Sequence, residues 1–157
     1  SSYIGLALKE NGKGKLETIE FQGSLLDEGK VKWGKLGIAS HIIPYLMRSE
    51  EFQPSQNYDL IFLDSEPPIR FPEMIKFYSY LNEGGYLIIH DLPRTLCQGN
   101  INPSLPDYHS WPYGDLPEEI KKWVKEDKLR AFHFETPRGL TVFYKTKKED
   151  YRYGQKK

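Results

Sequence analysis

Three carboxylates stand where short apolar runs stop. Glu20 ends the run that begins at Leu16, Asp64 follows Tyr58 to Leu63, and Asp91 follows Gly85 to His90. An acid at a strand end ordinarily caps the next helix or faces solvent, and that plain reading suits any one of them alone. Three at successive strand ends are harder to dismiss. In an open α/β sheet those ends share an edge, and ligands bind beyond it. A carboxylate after a strand can accept both hydroxyls of a ribose, the use that suits Glu20. Asp64 and Asp91 could share a divalent cation, act as base and stabiliser, or cap the adjacent turns. His90 adds a titratable ring beside Asp91, either a hydrogen-bonded structural residue or a base, and it is expected to face away from Asp91.

The segment from Leu92 to Asp115 follows the last of these acids. It holds Tyr108, His109, Trp111 and Tyr113 among four prolines, with Asp107 nearby. Loops this long are usually functional or disordered, and aromatic content argues against disorder. Two readings stay open: a lid whose rings stack on a phenol or sugar, and a surface loop pinned by its own rings. Cys97 lies in it near Arg94, with no acid or histidine motif to make it a nucleophile.

The elements that carry these residues follow from patterning. Tyr58 to Asp64 and Gly85 to Asp91 are apolar runs without alternation, the habit of strands covered on both faces. Between them Phe71, Ile75, Tyr78 and Leu81 recur at helical spacing, with Pro72 expected in the first turn and Gly84 as the stop. Strand, helix and strand make a right-handed βαβ unit. Upstream, Tyr3 to Leu8 reads as the end of a helix, Leu16 to Phe21 and Lys30 to Trp33 as strands, and Ile38 to Met47 as a helix bent by Pro44. Downstream, Leu116 to Asp127 reads as a helix with Lys121, Lys122 and Lys125 on a solvated face. Leu129 to Glu135 and Leu140 to Lys145 form a hairpin across Thr136-Pro137-Arg138-Gly139. The aromatics Phe77, Tyr78, Tyr80, Trp123, Phe132, Phe134, Phe143 and Tyr144 are assigned to packing. Thr146 to Lys157 is a polar, frayed tail.

Composition sets the outer bounds. The 157 residues suit one domain, and 22 basic against 22 acidic residues leave no net charge. That balance argues against a nucleic-acid or anionic-membrane protein working by bulk electrostatics, and no apolar run is long enough to span a bilayer. Aromatics at 14% supply core area despite 38% hydrophobic residues overall. The single cysteine fits a reducing compartment, which places the chain in the cytoplasm.

Three strings carry a family resemblance: KGKLETIEF (Lys13 to Phe21), YDLIFLDSE (Tyr58 to Glu66) and LNEGGYLIIHDL (Leu81 to Leu92). With the terminal hairpin, the chain resembles a class I S-adenosylmethionine-dependent methyltransferase, closest to the small-molecule O-methyltransferases. The resemblance implies an α/β fold, a Rossmann-like methyltransferase sheet, mostly parallel with a C-terminal antiparallel hairpin. It implies one domain over 1–147, starting after the family's first strand and glycine-rich loop, and a tail over 148–157. By position, Glu20 matches the acid that holds the cosubstrate ribose. Asp64 matches the acid after the family's fourth strand, a cosubstrate contact and, in the cation-dependent branch, a metal ligand. Asp91 matches the second metal ligand or catalytic acid of that branch, whose next residue, usually asparagine, is here Leu92. Gly34-Lys35-Leu36-Gly37 stands where a polar adenine contact is expected.

The implied activity is transfer of a methyl group from S-adenosylmethionine to a hydroxyl of a phenolic or sugar-like small molecule. Asp64 or Asp91 would be base or metal ligand, His90 or His109 the alternative base, and Mg²⁺ an optional cation. The implied partners are a small-molecule acceptor and a second copy in a homodimer, with no nucleic acid and no membrane. The alternative is a methyltransferase-like scaffold that has lost its cosubstrate site. A nicotinamide-dependent dehydrogenase fits less well, because its glycine fingerprint is missing and its fold does not usually end in this hairpin.

Overall fold

The computed structural model describes residues 1–90, 117–134 and 139–153, and the side chains of all of these except 67 and 151–153. The chain divides into two compact units, Ser1–Gln53 and Pro54–Lys157.

In the first unit, α1 (Ser2–Glu10), β1 (Leu16–Glu20), α2 (Gly23–Leu36), a short 3-10 turn (Ala39–His41) and β2 (Ile42–Leu46) follow in order. β1 and β2 pair in parallel, with Leu16 opposite Ile42 and Glu20 opposite Leu46. Leu26, Trp33, Ile38 and Ile42 form the core, with Leu6, Leu16 and Leu36 packed against it.

Two expectations fail in this unit. Lys30 to Trp33 is not a strand but part of α2. Leu26, Trp33 and Leu36 recur at steps that only a helix brings to one face, and their burial overrides the strand-like composition of the shorter window. Gly37, at φ 63°, then ends α2 in the left-handed conformation that favours glycine, its N–H bonded to the Gly34 carbonyl at 3.0 Å. Ile38 to Met47 is not a helix but the 3-10 turn and β2. Pro44 would remove a hydrogen bond inside a helix, whereas an outer strand tolerates it, and β2 pairs only with β1 among the described residues.

The second unit holds β3 (Tyr58–Leu63), α3 (Pro67–Tyr78), β4 (Leu81–His90), α4 (Glu118–Lys125), β5 (Leu129–Phe134), β6 (Leu140–Lys145) and a 3-10 segment (Lys148–Tyr153). Its sheet runs β3-β4-β6-β5, parallel between β3 and β4 and antiparallel in the two remaining pairs. The α/β fold with parallel pairs and a closing antiparallel hairpin is therefore present. The Lys148–Tyr153 turn replaces the frayed start expected for the tail.

The βαβ unit is shifted from its expected bounds. Pro67 and Pro68 occupy the first turn of α3, where missing N–H groups cost nothing, and Pro72 sits inside the helix. Helix α3 ends at Tyr78, so Gly84 is not its stop. Gly84 lies within β4 at φ 81°, where the β3/β4 register jumps between Tyr58↔Leu81 and Leu60↔Tyr86. A glycine absorbs such an irregularity without a Cβ penalty.

Helix α3 contacts both β3 and β4 and buries Phe71, Met74 and Phe77, while Leu63, Leu87, Ile89 and Phe143 are buried in the sheet. Residues two apart share a strand face. Leu60 and Phe62, expected to be covered, are 43% and 46% exposed, and Phe132 and Phe134 are exposed too. Tyr78 and Trp123 stack with ring centroids 3.9 Å apart, joining α3 to α4 as packing residues.

Candidate active site at the strand ends

In the first unit the acid at the end of β1 is locally organised. Glu20 Oε1 accepts the Gln22 backbone N–H at 2.9 Å, and its carbonyl accepts the Met47 N–H at 3.2 Å, tying the ends of β1 and β2. Phe21 stands beside it, half its surface open, with the Arg48 guanidinium 5.4 Å from the ring centroid. Arg48 also lies 3.7 Å from Glu50. The Glu50 carboxyl is held below its ordinary value by a bond from its own backbone amide and then by Arg48. Since β2 spans Ile42–Leu46, the residues after it are Met47, Arg48 and Ser49, not Gly34 to Gly37, which belong to the end of α2 and its cap.

In the second unit the register does the assembling. Leu63 lies opposite Ile89 in the parallel pair, so the next residues, Asp64 and His90, emerge side by side. Asp64 Oδ1 lies 2.9 Å from His90 Nδ1. The Asp64 side chain is 53% exposed and that of His90 35%, so the pair is within reach of a ligand.

Beneath it lies a buried polar cluster that residue patterning alone did not bring out. Arg70, 3% exposed, donates from Nε to the Ser65 carbonyl at 2.6 Å and from Nη1 to the His90 carbonyl, and its Nη2 is 3.8 Å from Asp64 Oδ1. Glu73, equally buried, accepts a hydrogen bond at Oε2 from the Ser65 hydroxyl. A signal for it exists in the sequence: Arg70 and Glu73 share the period of the buried Phe71, Met74 and Phe77, and charges at core-facing helix positions need partners.

Of the expected site residues, Asp64 and His90 are brought together, and Glu20 belongs to the other unit. Asp91, His109 and Cys97 lie outside the described residues.

No family model matches the chain, and no curated protein matches it. Solved structures do. The O-methyltransferase TomG from Streptomyces achromogenes, in complex with SAM, superposes with a TM-score of 0.65 at 15% identity over 85% of this chain and 63% of its own. The SAH-bound Podospora anserina methyltransferase PaMTH1 gives 0.59 at 15% identity over 85% and 61%. A ribosomal protein L11 methylase from Lactobacillus delbrueckii subsp. bulgaricus gives 0.62 at 12% identity over 92% and 65%. The fold is that of the S-adenosylmethionine-dependent methyltransferases. The chain spans less than two thirds of the length of these three proteins.

The expected pair of metal ligands, Asp64 and Asp91, is only half within the described residues, since Asp91 lies outside them. One Asp64 oxygen already faces His90 and lies 3.8 Å from the Arg70 guanidinium. Among the described residues no three His, Cys, Asp or Glu side chains cluster as metal ligands, and hard cations need several oxygens. The donor set of the first unit does fit a nucleoside. A carboxylate has about four acceptor sites, and Glu20 uses one of them on Gln22. The open Phe21 ring offers a stacking surface. No helix among the described residues is long and apolar enough to cross a membrane.

Proposed function

We propose that this chain carries the methyl-transfer chemistry of an S-adenosylmethionine-dependent methyltransferase, with a hydroxyl of a phenolic or sugar-like small molecule as acceptor. The Asp64–His90 pair at 2.9 Å is the observation that supports it most. When bound, S-adenosylmethionine supplies a methyl group on a positively charged sulfur. Glu20 holds the ribose hydroxyls, and Phe21 stacks on the base.

His90 takes the acceptor's proton. With Nδ1–H donating to Asp64, the neutral ring carries its lone pair on Nε2, the geometry in which a carboxylate orients an imidazole base. As the acceptor oxygen gains the methyl group in exchange for its hydrogen, His90 takes that proton at Nε2, leaving the neutral thioether as the other product. Asp64 stabilises the resulting imidazolium. This gives His90 the base role and Asp64 the orienting one. Asp91, next in sequence, remains a candidate second acid of this edge. No metal step is assigned.

Calorimetric titration with S-adenosylmethionine and S-adenosylhomocysteine, with and without Mg²⁺, tests the reading. Saturable heat that is insensitive to Mg²⁺ and lost in Glu20→Ala is the expected result. A well-folded chain that gives no heat with either ligand sinks it and leaves the non-catalytic scaffold as the better reading.

A further inference from the structure

The Asp64–His90 geometry needs an explanation that the pair itself does not supply. Both residues stand just past the last β3/β4 ladder pair, and both are partly open to solvent. The β4/β6 ladder fixes the His90 backbone opposite Leu140, but two half-exposed side chains on different strands would still sample several rotamers without support.

Arg70 lies under this junction, buried in the first part of α3. Its Nε reaches the carbonyl of Ser65, just past β3, and its Nη1 reaches the carbonyl of His90, at the end of β4. Nη2 faces Asp64 Oδ1, the same oxygen that meets His90 Nδ1. One planar guanidinium therefore touches the backbone of both strand ends and the carboxylate between them. A rigid fork with five donors can do this; an ammonium, a single point of charge, cannot hold the same three directions. Glu73, one turn further along α3, fixes the turn from the other side through the Ser65 hydroxyl.

We infer that Arg70 is a positioning residue for the Asp64–His90 pair, acting through the Ser65 and His90 carbonyls and through Asp64, with Glu73 and Ser65 bracing the turn. This rests on the proposed role of His90 as proton acceptor. Burying a guanidinium is costly, and nearby apolar positions of the same helix would accept methionine more cheaply. The charge is kept where it sets the distance between two groups on different strands.

The test reads geometry and uses no methyl donor. The Nδ1–H of a histidine bonded to a carboxylate gives a downfield proton resonance, assigned here by its loss in His90→Gln. In the wild-type chain this proton is expected to exchange slowly with water. In Arg70→Met, with a cooperative melt and dispersed amide spectrum retained, exchange should quicken by about tenfold or more, the scale of one charge-assisted hydrogen bond. Arg70→Lys should fall between the two. A folded Arg70→Met with wild-type exchange overturns the inference, as does a wild-type chain without the His90 signal. Should Arg70→Met fail to fold, Arg70→Lys decides: faster exchange supports the inference and wild-type exchange overturns it. A chain that binds no S-adenosylmethionine can still show the clamp, so the two readings fail separately.

Discussion

The two ends of the second unit's sheet are each stapled by a buried or half-buried cation, and the staples differ in what they carry. At the carboxyl end, Arg70 joins the Ser65 and His90 carbonyls and faces Asp64. At the opposite end, Lys145 donates to the Tyr78 carbonyl at 3.1 Å and the Leu81 carbonyl at 2.6 Å, with its ammonium 4.5 Å from the Tyr78 ring centroid. Lys145 closes the last turn of α3 and the start of β4, a site where a cation favours the helix dipole. Near it are Trp123 stacked on Tyr78 and the turn from α3 into β4, whereas the Asp64–His90 pair stands at the other end. The same device, a cation on two carbonyls, thus lies under the proposed catalytic pair at one end and in a packed turn at the other. The difference lies in the choice of cation: a fork with a carboxylate beside it, or a point charge over a ring.

The largest effect that would separate the ends is catalytic. Replacing His90 by Gln is expected to lower methyl transfer by about 10² to 10⁴-fold, the usual worth of a positioned general base, with the melting midpoint little changed. Single-turnover assays against an acceptor panel measure it. A His90→Gln enzyme with wild-type turnover would remove the chemical distinction between the two ends.

Next is Lys145→Met, which leaves two carbonyls at the α3/β4 junction without their donor. A loss of about 1.5 to 3 kcal/mol in denaturant unfolding is expected, with S-adenosylmethionine binding unaffected. The same residue gives a pH signature. Burial pushes the Lys145 ammonium below its ordinary 10.5, against the raising effect of Glu83. The unfolded chain then binds more protons between the lowered value and 10.5, so stability rises as pH climbs through that alkaline window. Lys145→Met should flatten that rise; an unchanged slope would mean that Lys145 is not its source.

The smallest effect belongs to Asp127, at the turn between α4 and β5. It holds a positive φ of 53° and receives Arg130 in a fork at 2.8 and 2.7 Å. The Arg130 hydrogen bonds lower the Asp127 carboxyl below its ordinary 3.8, so its contribution is present above that value and is lost as pH falls through the lowered one. The pair is exposed, and Asp127→Asn, which keeps a residue tolerant of the left-handed region, should cost about 0.2 to 1 kcal/mol near neutrality. Chemical denaturation at neutral and acidic pH resolves it: the deficit should shrink in acid, and a constant deficit would point to backbone strain instead.

Legibility differed between the halves. The strands at Tyr58 to Leu63 and Gly85 to His90 were visible because continuous apolar runs flanked by glycine and proline have few other uses, whereas the start of β4 at Leu81 was read as the end of the helix. The hairpin strands β5 and β6 were visible for the same local reason. Residues 30–47 misled, because Val31 and Trp33 look like strand and Ile38 to Met47 carries a helix-like period, while the core around Trp33 and Ile42 chose the reverse. Local preference is worth tenths of a kcal/mol per residue, and burying one large side chain is worth about 1.5 to 3 kcal/mol.

By itself the sequence determined the kinds of groups at the strand ends, Glu20, Asp64 and His90, because residue type and strand limits are local properties. Which of them meet was decided only by tertiary structure. The β3/β4 register sets Asp64 against His90. The burial of Arg70 and Glu73 turns two charges that would suit a solvated helix face into the support beneath that pair. The physical reason is that pairing register and core-facing orientation depend on atoms far apart in the chain, and the free energy of satisfying a buried charge exists only once those atoms are together.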